Sequence, residues 1–129
     1  MNDALYTVET RKSFDDAVAA VERKSLEKGF RVLHTHDVAA TLAEKGFPRE
    51  PMKIVEVCNA RLASLVLRDD PRIAVMLPCP IVVYHEKGAT HITTMRPTAM
   101  LSMFPESGIE NVATLVEKTL LEIVNEAKE

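Results

Sequence analysis

Ile81-Val82-Val83-Tyr84-His85-Glu86-Lys87-Gly88-Ala89-Thr90-His91-Ile92-Thr93-Thr94-Met95-Arg96 is the stretch that decides the fold class. Ile81 to Tyr84 and His91 to Arg96 are rich in β-branched and aromatic residues, with Gly88 between them. Two such runs around a glycine read as strands joined by a hairpin. A hairpin makes its strands antiparallel, which rules out an all-parallel sheet.

Upstream, Ile73-Ala74-Val75-Met76-Leu77 also has strand chemistry, and Pro78-Cys79-Pro80 separates it from Ile81. Proline cannot donate to a sheet ladder, so the pair is expected at a bulge, a bend or an edge. Residues 73–84 are then one long bent strand or two strands joined by a kink. Before them, Asn59 is an expected N-cap for a helix carrying Leu62, Leu65 and Val66, which Asp69-Asp70-Pro71 ends. Lys53-Ile54-Val55-Glu56-Val57-Cys58 reads as a strand, as does Phe30 to His36. A short helix capped by Asp37 and stopped by Gly46 lies between them, followed by a loop with Pro48 and Pro51.

Nearer the N-terminus, a strand at Ala4 to Thr10 precedes a helix with Ser13 at its cap and Asp16 in the capping-box position. Phe14, Ala17, Val18 and Val21 recur at helical spacing, and Gly29 closes the helix. Downstream, Pro97 to Pro105 reads as a loop. Ser107 with Glu110 predicts a second capping box, opening a helix whose stripe is Ile109, Val112, Ala113, Val116, Leu120, Ile123 and Val124. The order is β-α-β, a short helix, β-α-β-β and a long C-terminal helix. It predicts an α+β fold, a mainly antiparallel β-sheet with helices packed on one face. The other sheet face is then wet, covered by a partner, or used for binding.

At 129 residues the chain has the length of one domain, 1–129, and 47% hydrophobic with 27% charged residues suits a globular core. A formal charge of −3, with basic residues interspersed among acidic ones, argues against nucleic acid as a partner. Aromatic residues are 5% and tryptophan is absent, so a base-stacking platform is poorly supplied. Met1 to Tyr6 has neither the basic nor the apolar region of a signal peptide, and the longest apolar stretch is too short to span a bilayer. These features, with two cysteines in all, predict a cytoplasmic protein with reduced thiols and no membrane partner.

Glu56-Val57-Cys58-Asn59, Leu62-Ala63, Asp70-Pro71, Leu77-Pro78-Cys79, Val82-Val83-Tyr84 and Arg96-Pro97 together resemble the domain of unknown function 302 family. The resemblance covers nearly the whole chain. It implies a β-α-β(4)-α fold similar to the TATA-binding-protein-like architecture, here with an extra short helix, and a homodimer. It implies no established reaction and no known cofactor. Two positions depart from the family pattern: Pro80 stands where many relatives are expected to carry a basic residue, and Ala60 where they often carry proline.

The site residues singled out are Glu56, Cys58, Asn59, Pro78 and Cys79. Cys79, between two prolines, is either an ordered thiol for metal or redox chemistry or a small hydrophobe filling a gap. Cys58 precedes a helix cap, where the helix dipole would lower its pKa, or is simply a buried strand residue. Glu56 shares a strand face with Cys58 and is a potential base or ligand, or a solvated charge. His34 and His36 alternate onto one strand face, and with Cys58 and Cys79 they form the expected metal-ligand set. Six methionines invite a copper reading, although gap-filling in a core or dimer contact is their commoner use. No CxxC, nucleophile elbow or phosphate loop is present. The leading expectation is a homodimeric binding module for a small molecule or metal ion near Cys58 and Cys79. The alternatives are a thiol-dependent redox protein or enzyme using Cys79 and Cys58, and a structural dimerisation module without a ligand.

Overall fold

The computed structural model describes residues 4–105 and 107–129; the N-terminal reading on Met1, Asn2 and Asp3 lies outside them. Strand β1 (Leu5–Thr10) is followed by helix α1 (Phe14–Glu27), β2 (Arg31–Asp37), the short α2 (Val38–Glu44) and β3 (Met52–Cys58). Helix α3 (Ala60–Asp69) runs into a 3-10 segment (Pro71–Met76). The hairpin β4 (Cys79–Glu86) and β5 (Ala89–Met95) follows, then a second 3-10 segment (Pro97–Met103) and α4 (Glu110–Ala127).

The five strands form one sheet in the order β1-β5-β4-β3-β2, and every neighbouring pair is antiparallel. The hairpin turn is Lys87-Gly88, with φ of 53° and 79°. That pair of left-handed residues matches the twist of the flanking strands, and Gly88 takes its share without steric cost. Alternation along the strands does the rest. Val55 and Val57, Ile81 and Val83, and Ile92 all point to one face, where they pack in a single cluster with Ala17, Val21, Leu120, Ile123 and Val124. Helices α1 and α4 thus cover one face, as the antiparallel α+β reading requires.

The caps of the first three helices form as their sequences predict. Ser13 Oγ accepts from Asp16 N, Asp37 Oδ1 from Ala40 N and Asn59 Oδ1 from Leu62 N. The C-terminal end of α4 is tied to the start of the chain: Thr10 Oγ1 donates to Lys128 O at 2.7 Å and Lys12 Nζ to Ala127 O at 2.9 Å. A lysine there satisfies an orphan carbonyl and opposes the negative end of the helix dipole. Beside it, Lys28 pairs with Glu126 at 2.7 Å, which raises the pKa of the lysine and lowers that of the glutamate.

Three expectations are corrected. Ile73 to Leu77 is not a strand. Asp70 Oδ1 accepts from Arg72 N, and Pro71 opens a 3-10 helix in which its missing N–H costs nothing. Residues 73–84 are therefore neither a bent strand nor two strands with a kink: Pro78 precedes β4 and Pro80 is its second residue. The prolines sit at the entrance of the central strand, where a ladder donor is not yet needed. The sheet's register irregularity lies elsewhere, between Val32 and His34 in β2. The third correction concerns Ser107, which does not cap α4. Its hydroxyl donates to Phe104 O at 2.8 Å, closing the turn after the second 3-10 segment, and α4 starts after Ile109 without a side-chain cap.

Candidate functional site

A second, smaller apolar cluster stands beside the main core. Val66, Ile73, Phe104 and Ile109 form it, with Met76, Leu101 and Val112 packed against it. Where the two clusters meet they leave a cavity of about 70 Å³. The α3 wall contributes Leu62 and Val66, the first 3-10 segment Ile73 and Met76, the second Met100 and Leu101, and α4 Val116 and Leu120. The sheet end supplies Cys58, Cys79, Pro80, Thr94 and Met95. Among the described residues no charged one lines it.

Both cysteines therefore line one cavity. Cys79 opens β4 opposite Val57, one residue before Cys58, so the ladder sets the two cysteines on adjacent strand ends. Both are half-buried and unpaired by a disulfide. Burial pushes the Cys79 thiol from its ordinary 9.0 up to about 11, and the neighbouring Cys58 adds to the rise. Burial also raises Cys58. The expected lowering by the α3 dipole is overridden, because removing a thiolate from water costs more than the helix end returns. Nucleophilic cysteines need the opposite shift.

Asn59 does more than cap. While Oδ1 holds Leu62 N at 3.0 Å, Nδ2 donates to Gly29 O at 3.2 Å. It thereby ties the start of α3 to the turn before Phe30, another cavity residue. Asn59→Ala removes the cap and the tie together and is expected to lower stability by about 1–2 kcal/mol. Asn59→Asp keeps the acceptor and should recover the capping part. Urea titrations of the two variants check this; equal losses in both would show that the cap contributes nothing.

Glu56 and the two β2 histidines do not join the thiols. Glu56 lies between the buried Val55 and Val57, on the sheet face away from the helices, where it pairs with His36 Nε2 at 3.2 Å. His34 meets His36 edge-on with ring centroids 4.2 Å apart. None of these three lines the cavity. The expected set of Cys58, Cys79, His34 and His36 is thus divided between two places, because strand alternation and register send the imidazoles to the open face. Among the described residues no group of three or more His, Cys, Asp or Glu side chains is placed to hold a metal ion. Of the remaining histidines, His85 pairs with Glu50 at 2.8 Å and His91 stacks on Tyr84. Pro78 is absent from the cavity wall, whereas Pro80 is part of it. Of the methionines, Met76, Met95 and Met100 line the cavity, whereas Met103 is largely exposed.

A family model for the domain of unknown function DUF302 matches residues 6–127. The chain belongs to the DUF302 family. The crystal structure of an uncharacterized conserved DUF302 protein from Bacillus stearothermophilus superposes on it with a TM-score of 0.91. The two sequences are 31% identical, over 98% of this chain and 99% of that one. No curated protein matches this DUF302 chain. Pro80 puts a ring in the cavity wall. Among the described residues of this DUF302 chain, no helix is long and apolar enough to cross a membrane.

Proposed function

We propose that this DUF302 protein is a homodimeric binding module that holds a small ligand or metal ion in the cavity beside Cys58 and Cys79. The observation that carries the reading is the uncharged cavity itself, with both cysteines among its lining residues. Ordinary ligand pockets run to about 300–1,000 Å³, so an occupant here is far smaller than a drug-sized molecule. The raised thiols weigh against the redox and enzymatic alternative, since little thiolate is present at neutral pH. Native mass spectrometry and metal analysis of untagged protein test for a retained occupant. Xenon under pressure, followed through the methyl signals of Leu62, Val116 and Leu120, tests the cavity directly. No retained mass and no xenon response would end the binding reading.

The dimer is supported by the sheet face that the helices leave open. Thr7, Thr93, Val82, Ile54 and His36 stand in register across the middle of that face. Val82 and Ile54 are only half-covered there. A second copy would cover such a surface by the apolar contact that drives association. Val82→Lys places a charge at its centre and is expected to convert the dimer to monomer with the circular dichroism spectrum unchanged. Light scattering reads the mass. A monomeric unsubstituted protein, or a variant that stays dimeric, would remove this part of the proposal.

A further inference from the structure

We infer that the occupant of the cavity is a soft monovalent metal ion, Cu(I), held by the sulfur atoms of Cys58 and Cys79 with methionine thioethers completing its coordination. The inference rests on the binding reading above and narrows it to one chemical class. The chain has eight sulfur-bearing residues, two cysteines and six methionines. Cys58, Cys79, Met76, Met95 and Met100 all line this one cavity. They come from five separate segments: the end of β3, the start of β4, the end of the first 3-10 helix, the end of β5 and the second 3-10 helix.

The ligand chemistry then selects the ion. Thiolate and thioether sulfur are soft donors that favour Cu(I), whereas calcium, magnesium and manganese require oxygen. Among the described residues no carboxylate or imidazole lines the cavity. The polar side chains that do, Asn59 and Thr94, are already hydrogen-bonded to Leu62 N, Gly29 O and Pro80 O. Structural zinc sites use four cysteine or histidine ligands, and only two are here. The volume of about 70 Å³ is under half of the roughly 150 Å³ of an engineered apolar cavity that takes benzene. An ion fits where an organic ring does not. Binding exchanges the two thiol protons, released to solvent, for one monovalent cation, so the bis-thiolate complex carries a single negative charge. That charge falls beside Asn59 and the N-terminal end of the ten-residue helix α3, whose dipole favours it. No electron is transferred, and copper enters and stays as Cu(I).

The test uses the full reduced chain under anaerobic conditions, with Cu(I) supplied as its bicinchoninate complex. The expected result is one Cu(I) withdrawn per chain, with thiolate-to-copper absorption in the ultraviolet and an all-sulfur shell by X-ray absorption. Cys58→Ser and Cys79→Ser should each weaken binding by more than the roughly 100-fold that loss of an outer-shell partner costs. Met76→Leu combined with Met100→Leu preserves volume and should weaken it by about 10-fold with the fold retained, which covers the case of a serine variant that fails to fold. Failure to withdraw copper, nitrogen ligation at the surface histidines, or affinity unchanged in the cysteine variants would each overturn the inference. Xenon entry without copper binding would overturn it while leaving the binding reading standing; failure of both would remove both.

Discussion

Leu120→Ala is expected to cost about 3–5 kcal/mol of stability and to enlarge the cavity enough to change what it admits. Leu120 is 1% exposed and belongs to the main core, yet it also forms part of the cavity wall. Truncating a leucine in such a place loses the transfer free energy of the removed groups, and the space they leave adds a further penalty of about 24 cal/mol per Å³. The neighbouring Ile123 and Val124 are fixed by the sheet beneath them, so little collapse relieves the loss. The removed side chain adjoins existing empty space, and the merged cavity approaches the roughly 150 Å³ that accommodates benzene in an engineered core. Urea unfolding gives the first quantity, and a benzene-dependent rise in Tm, present in Leu120→Ala and missing in the unsubstituted protein, gives the second. A loss below about 1 kcal/mol, the cost of a far milder truncation, would mean that the wall is pliable. The cavity would then be a packing irregularity.

Between pH 9 and 11 the protein is expected to lose about 2 kcal/mol of stability through Cys79 alone. The folded-state pKa of about 11 lies above the ordinary 9.0, because burial, and secondarily Cys58, disfavours the thiolate. Below pH 9 the thiol is protonated in both the folded and the unfolded chain, and its contribution is fully present. As pH rises the unfolded chain releases its proton first, so the folded state binds more protons and stability falls until pH 11 is passed. Each unit of difference is worth about 1.4 kcal/mol. Cys58, raised by its own burial, acts in the same direction. The measurement is a comparison of two proteins that differ only at this thiol. Denaturation of Cys79→Ala against the unsubstituted protein at several pH values isolates the thiol. Parallel stability profiles for the two proteins would show that Cys79 is in contact with water.

What proved legible from residues alone was local. The caps at Ser13, Asp37 and Asn59 depend on a side chain meeting a backbone N–H three residues on. The Lys87-Gly88 turn and the α4 stripe depend on spacing within one segment. Even the open sheet face follows from strand alternation, once the hairpin makes the sheet antiparallel. Where two local signals competed, the weaker one misled. Ile73 to Leu77 has β-branched residues, but both edges of β4 are taken by β3 and β5, so the residues before it have no strand to pair with. The Asp70-Pro71 signal, an acceptor followed by a residue without N–H, prevails. Ser107 similarly satisfies a nearer carbonyl before it can reach α4.

The amino-acid sequence by itself determined the antiparallel α+β class, the main helices and the two cysteines as the residues of interest, because each follows from neighbours a few positions apart. Only the tertiary structure decided that those cysteines share a wall with Met76, Met95 and Met100, and that Glu56, His34 and His36 face the other way. The cavity exists where two apolar clusters meet without filling the space between them. Such a mismatch of shapes depends on many separate segments arriving together, and periodicity within any one of them carries no trace of it.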